Sequence, residues 1–194
     1  IAIPNPEGEY VLLNGNQTGS LLLNYLIIRW QQLGKIMGNE FVAKTIVTTD
    51  LIDKIAAANK VKVYNTLTGF KHIGAIIKKL EGQEQFIGGG EESYGYLSGD
   101  FVRDKDAIIS CALIAEMIAW AKSSGKTLFN LMEEMYMEHG FYLEDLISIT
   151  KQRRSGQEEI YKKMINLRKI PPKKIAGEEV SKVIDYLESQ KTGL

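Results

Sequence analysis

The stretch Gly88-Gly89-Gly90-Glu91-Glu92-Ser93-Tyr94-Gly95-Tyr96 gathers more chemistry than any other part of the chain. It follows a short apolar run, residues 85–87, that reads as a strand. Three successive glycines leave the backbone free to take positive φ and to approach a ligand closely. Two carboxylates and a hydroxyl come next. Glu91 and Ser93, two apart on an extended loop, would project into one cleft. Carboxylate acceptors with a hydroxyl suit the vicinal hydroxyls of a sugar, whereas a phosphate wants donors. No Gly-Lys-Ser/Thr follows, so the loop is not a phosphate cradle of the P-loop kind. A polar loop with turn glycines accounts for the same residues without any ligand.

Two further segments could work beside it. In Phe101-Val102-Arg103-Asp104-Lys105-Asp106-Ala107 the acids suit a helix N-terminus, where the dipole favours negative charge. The same dipole disfavours Arg103 and Lys105. Holding an anion, or for Lys105 transferring a proton, supplies a reason for them. Thr66-Leu67-Thr68-Gly69-Phe70-Lys71-His72 joins a strand to a helix, where backbone N–H groups can receive an anion. Thr68 and Gly69 are the expected contacts there, and Thr68 as an ordinary N-cap is the alternative. The two histidines, His72 and His139, are isolated and have no cysteine cluster near them, which argues against a zinc site. Asp50 and Asp53 stand three apart, but Asp50 has an N-cap explanation. No Gly-x-Ser-x-Gly elbow occurs.

The elements that must carry these segments alternate. Residues 10–13 suit a strand, with 1–3 as the other arm of a hairpin across the turn-rich stretch 4–8. A helix opens at Gln17 or Thr18 and closes near Gly34. Residues 41–48 read as a buried strand, 51–58 as a short helix, and 61–64 as a strand. A helix from Gly69 to Gly82 turns Ile73, Ile76, Ile77 and Leu80 to one face. After the glycine-rich loop come helices over 105–123 and 127–138, an edge strand over 141–150, and a helix over 156–168. Helices alternating with Val/Ile-rich strands predict an α/β fold, a three-layer domain with a sheet between helices, followed by a helical linker. The α/β domain is expected to end near Ser123. For residues 180–186 the spacing of Val180, Val183, Ile184 and Leu187 favours a helix slightly over a strand.

Composition bounds the function classes. The chain has 194 residues, with 24 Lys+Arg against 24 Asp+Glu and no net charge. Nucleic-acid binding needs excess positive charge, so no nucleic-acid partner is expected. The longest apolar run, residues 21–28, is too short for a bilayer span, so no membrane partner is expected either. A single cysteine, Cys111, sits in an apolar run and is expected in the core. It permits no internal disulfide, which suits a reducing, cytoplasmic setting. The chain opens on Ile-Ala-Ile-Pro without Met, as expected of a piece cut from a longer protein.

Taken together, these segments resemble the α-D-phosphohexomutase family, and within it the phosphoglucomutase branch. Gly90-Glu91-Glu92-Ser93 is similar to its sugar-binding loop, and Leu67-Thr68-Gly69-Phe70-Lys71 to its Thr-Gly loop. Arg103-Asp104-Lys105-Asp106 resembles the basic segment after the sugar loop, and Leu13-Asn14-Gly15-Asn16-Gln17-Thr18-Gly19 the start of the domain that contains them. The order and spacing agree over residues 1–120.

The resemblance implies a protein of four domains, in which residues 1–123 are the third, sugar-binding domain with a four-stranded sheet. Residues 124–175 would be a helical extension and 176–194 the start of the fourth domain, which would make 180–186 a strand. It implies reversible phosphoryl transfer between the 1- and 6-positions of a hexose phosphate, through a phosphoserine and a sugar 1,6-bisphosphate. A magnesium-binding Asp-rich loop would end just before Ile1, so the metal ligands and the phosphoserine would lie outside this chain. This piece would then be inactive alone, with the other domains of the same chain as partners. Glu91 and Ser93 would contact the sugar, with Thr68, Gly69 and Lys71 nearby. Arg103 and Lys105 would contact phosphate, or Lys105 would transfer a proton. Glu92 would contact the sugar or tie down the loop. A phosphomannomutase, a phosphopentomutase and a silent α/β binding module are the alternatives. Tyr94-Gly95-Tyr96 after Ser93 argues against the mannose and glucosamine branches, which often carry Ser-Gly-His there.

Overall fold

A computed structural model describes residues 1–145 and 149–186. Two compact units divide the chain, residues 1–144 and 145–194.

The first unit opens with a hairpin, β1 (Ala2–Pro4) and β2 (Tyr10–Leu12), that buries Ile3. Helix α1 (Gly15–Gln32) follows. It starts two residues earlier than the sequence suggests, because Asn14 and Gln17 form a reciprocal capping box. The order then runs β3 (Glu40–Thr45), α2 (Leu51–Ala58), β4 (Lys62–Thr66), α3 (Phe70–Leu80), β5 (Gln85–Glu91), β6 (Gly95–Ser98), α4 (Ala107–Ser123) and α5 (Leu128–His139).

The four long strands form one mixed sheet in the order β4-β3-β5-β6. β3 is parallel to β4 and to β5, and β6 runs antiparallel to β5. The connection β3-α2-β4 steps one way along the sheet, and β4-α3-β5 steps back across β3. Right-handed crossovers taken in opposite directions place their helices on opposite faces. The packing agrees. Phe41, Ala43, Phe86 and Leu97 meet Phe70, Ile73 and Ile77 of α3. Val42 and Ile87 meet the buried faces of α1, α2, α4 and α5. The expected three layers are present, with one helix on one face and four on the other.

Several local expectations are corrected. The three glycines do not form a free turn. They lie inside β5 with no positive φ, and the strand runs on to Glu91. Asp50 occupies the N-cap position of α2, but its side chain makes no capping bond. Its carboxylate pairs with Lys44 instead, and the Thr49 hydroxyl accepts the Leu51 N–H. Helix α4 begins at Ala107, after an Asp106 cap that accepts the Ile108 and Ile109 N–H groups. Arg103 and Lys105 thus precede the helix, and neither stands in its first turn. Cys111 is exposed, not in the core. The inward stripe of α4 is Ser110, Ile114, Met117 and Ala121, and Cys111 stands one position, about 100°, off it. The boundary expected near Ser123 falls inside the first unit, because α5 sends Leu128, Met132 and Met135 into the same core.

The second unit contains α6 (Arg153–Lys169) and a small hairpin, β7 (Lys174–Ile175) with β8 (Glu178–Glu179). Ala176 and Gly177, both at positive φ, make its turn. No strand forms at 141–145 or 149–150, and residues 146–148 of that expected strand lie outside the described residues. Residues 180–185 are neither helix nor strand, and the rest of the expected last element, from 187 on, is likewise outside them.

Candidate functional site at the carboxyl edge of the sheet

The carboxyl ends of β3, β4 and β5 lie at one edge of the sheet, together with the amino end of β6. In open α/β sheets this edge is where ligands bind. Three loops meet here.

The first joins β5 to β6 through residues 92–94, with Glu91 paired to Gly95 across the turn. Tyr94 takes φ 66°, the left-handed residue that closes a three-residue hairpin. Ser93 is exposed at the tip, and Glu91 and Glu92 are half-buried. The second loop joins β4 to α3. Gly69 sits at φ 108°, where other residues are strained, and its N–H donates to Glu91 Oε1 at 2.8 Å. Thr68 is exposed just before it, and Gly69, not Thr68, is the N-cap. Lys71, the second residue of α3, is exposed. The third loop joins β3 to α2 and carries Thr48 and Thr49, both buried.

Lys105 enters from the segment before α4. Its stem crosses Gly95 so closely that a Cβ there would stand 3.0 Å from Lys105 Cδ and 3.7 Å from Glu91 Oε2. Lys105 and Glu91 therefore flank the same glycine. The Lys105 ammonium lies 5.6 Å from the Phe70 ring centroid and 3.0 Å from Asp104 Oδ1. Its hydrogen bond holds the Asp104 carboxyl below the usual carboxylate range, helped by the Lys105 N–H. Arg103 points elsewhere. Its guanidinium pairs with Glu81, the C-cap of α3, at 2.7 Å, and its backbone carbonyl packs on Gly74. Eleven residues of helix, about 16 Å, separate that end of α3 from Gly69.

The glycines are required by the molecule itself. A Cβ on Gly88 would press on Leu23 and Leu26 of α1 at 3.1 and 3.2 Å. One on Gly90 would press on Tyr96 Cδ1 and the Gly95 carbonyl, both at 2.6 Å. The helix answers in kind. A Cβ on Gly15 would overlap the Glu92 carbonyl, and one on Gly19 would stand 3.0 Å from Tyr96 Cε1. The Tyr96 hydroxyl donates to the Gly15 carbonyl at 2.7 Å, and burial pushes its pKa up.

The structure thus gathers Glu91, Gly69 and Lys105, with Thr68, Lys71 and Ser93 on the rim, and leaves Arg103 outside. Sequence reasoning missed Thr45, Thr48 and Lys44. For Thr48, the Thr-Thr-Asp that follows the buried strand was the available signal, a run of short polar side chains in the loop before a helix. Among the described residues, no three of His, Cys, Asp and Glu gather to hold a metal ion. Among the described residues, no single helix is long and apolar enough to cross a membrane.

Comparison with known proteins agrees with this architecture. Residues 14–139 match the family model described as phosphoglucomutase/phosphomannomutase, alpha/beta/alpha domain III. The phosphoglucomutase of Staphylococcus aureus strain N315 is 38% identical over 190 residues, which is 98% of this chain and 34% of that protein. That of strain MRSA252 is 37% identical over the same length. The chain spans about a third of the length of these curated relatives. Two solved structures share the fold. A Thermus thermophilus protein assigned as a phosphomannomutase has a TM-score of 0.56 and 24% identity over 72% of this chain and 28% of its own. The Paramecium phosphoglucomutase pp63/parafusin, in an open form, has a TM-score of 0.52 and 21% identity over 69% of this chain and 22% of its own. With its sheet order, its edge site and the match over 14–139, the chain belongs to the phosphoglucomutase/phosphomannomutase family, whose alpha/beta/alpha domain III it contains.

Proposed function

We propose that this chain is the sugar-recognising domain of a phosphoglucomutase that interconverts glucose 1-phosphate and glucose 6-phosphate. The observation that carries this is the Glu91 carboxylate at the sheet edge, held by the Gly69 N–H and flanked by Lys105. One Glu91 oxygen takes the Gly69 bond. A carboxylate has about four lone-pair directions, so acceptor capacity remains for two sugar hydroxyls. Ser93 at the tip adds a hydroxyl that can donate or accept. Such a pair can read neighbouring equatorial hydroxyls in both orientations of a hexose, as transfer between the 1- and 6-positions demands. Lys105 supplies positive charge beside the sugar, or a proton, and Thr68, Gly69 and Lys71 border the cleft.

Phosphoryl transfer depends on positioning and charge stabilisation shared across a site. Among the described residues no metal-holding group of His, Cys, Asp and Glu gathers, and no step is assigned to a metal here. The phosphoserine and the magnesium ligands are assigned to other domains of a longer polypeptide, in the cytoplasm, and a sugar 1,6-bisphosphate is the intermediate that reorients between the two poses. Residues 176–194 are assigned to the start of the following domain. The 194-residue chain is then expected to be inactive alone and to bind glucose 1-phosphate weakly. An NMR titration with glucose 1-phosphate should shift the amides of residues 88–106 and of Gly69. A well-folded sample with no shift there would reject the sugar site and favour a silent binding module.

A further inference from the structure

Glu92 turns away from Glu91. Its Oε2 meets Thr48 Oγ1 at 3.0 Å and Thr45 Oγ1 at 3.3 Å, and the two hydroxyls stand 2.8 Å apart. Each hydroxyl has one proton to donate. The two shorter contacts use both protons in a chain from Thr45 to Thr48 to Glu92, which leaves Thr48 the central link. Both threonines are buried, at 0% and 5% exposure. The loop that carries Thr48 is itself fixed. Lys44, 1% exposed, donates to the Thr48 carbonyl at 3.1 Å and pairs with Asp53 at 3.0 Å. Asn16 accepts the Thr49 N–H at 3.0 Å, and Ile46 donates to the Thr66 carbonyl at 2.8 Å. On its other side the Glu92 backbone rests on Gly15.

We infer that Glu92 is a positioning residue: latched through Thr48, it sets where Glu91 and Ser93 stand and leaves ligand contact to them. The inference rests on the sugar-recognition role of those two residues. The Gly69 amide reports on it from the far side of the site, because its bond to Glu91 lengthens if the hairpin tip drifts.

The test is amide hydrogen exchange of Gly69 in the ligand-free chain. Glu92→Ala and the isosteric Thr48→Val should each accelerate it about tenfold, as expected for losing a hydrogen bond to a charged group. Thr48→Ser should restore the wild-type rate. The double variant should exchange no faster than either single one, because both break one latch. The Ile77 amide in α3 should keep its protection, which separates latch opening from unfolding. Gly69 exchange within about twofold of wild type in both single variants would overturn the inference, as would single effects that multiply to about a hundredfold in the double. A wild-type chain that ignores glucose 1-phosphate would defeat the sugar site alone, because this experiment contains no ligand.

Discussion

Replacing Gly15 by Ala should destabilise the first unit sharply, although the change adds a helix-favouring residue. The new methyl would overlap the Glu92 carbonyl oxygen and stand 2.5 Å from its carbon and 3.2 Å from its Cα. Carbon atoms in contact keep about 3.5–4.0 Å, so the carbon contact alone asks for a parting of about 1 Å, and the oxygen, 1.6 Å from the new methyl, asks for more. Both partners are backbone, and neither can rotate aside. That places the overpacking cost near the upper end of the usual range, about 3 kcal/mol. Parting them also stretches the buried Tyr96-to-Gly15 bond, worth about 1 kcal/mol. Against this, Ala is favoured over Gly in a helix by at most about 1 kcal/mol. The net loss is about 3 kcal/mol, or about 10 °C in the thermal midpoint for a domain of this size. Thermal unfolding followed by circular dichroism measures it, with Gly82→Ala as the control. Gly82 has φ +75° and open space around it, so Ala there should cost only about 1 kcal/mol of backbone strain. If Gly15→Ala unfolds within about 2 °C of the Gly82 control, α1 does not buttress the hairpin as described.

Other outcomes follow from the same contacts. Asp53→Ala strips the buried Lys44 of its nearer partner but leaves it Asp50 and the Thr48 carbonyl, and should cost about 1.5 kcal/mol by urea unfolding. For Glu40, burial alone would raise the carboxyl pKa, but hydrogen bonds from the backbone N–H groups around it, led by Met37 and Gly38, outweigh it and lower the value below 4.5. Its stabilisation is therefore complete above pH 4.5 and fades as pH falls through the lowered value. Glu40→Gln should flatten the decline of the urea midpoint below pH 4.5, and an unchanged slope would count against this assignment. Cys111, being exposed, should react fully with a thiol-reactive dye in the folded chain, and a need for denaturant would return it to the core.

Much of the fold was legible because the local signals agree with the tertiary result. The apolar spacing of α3, the Phe-Val-Ala run of β3 and the Gly-bounded helix ends each carry their own meaning. What escaped depends on neighbours distant in sequence. The glycines of β5 read as a flexible loop because the helix and the tyrosine ring that require them are elsewhere in the chain. The Thr48–Glu92 bond spans 44 residues, and nothing near either residue announces it. Cys111 was misplaced by one position on an otherwise apolar helix, where composition alone cannot tell the inward stripe from the outward one. Of the site, the residue types at Glu91, Gly69 and Lys105 could be read. That Arg103 would pair with Glu81 could not, because it depends on how the 99–106 loop crosses α3 at Gly74.

The mutual fit of α1 and the hairpin limits how this hairpin can be exchanged. A hairpin proposed to read a hexose looks portable, a nine-residue cassette to be swapped between relatives to change sugar preference. Here its backbone is moulded to Gly15 and its Tyr96 ring to Gly19, more than 70 residues earlier in the chain. A chimera that imports residues 88–96 alone would inherit a helix start shaped for another hairpin. Segments 14–19 and 88–96 should therefore be transplanted as one discontinuous unit.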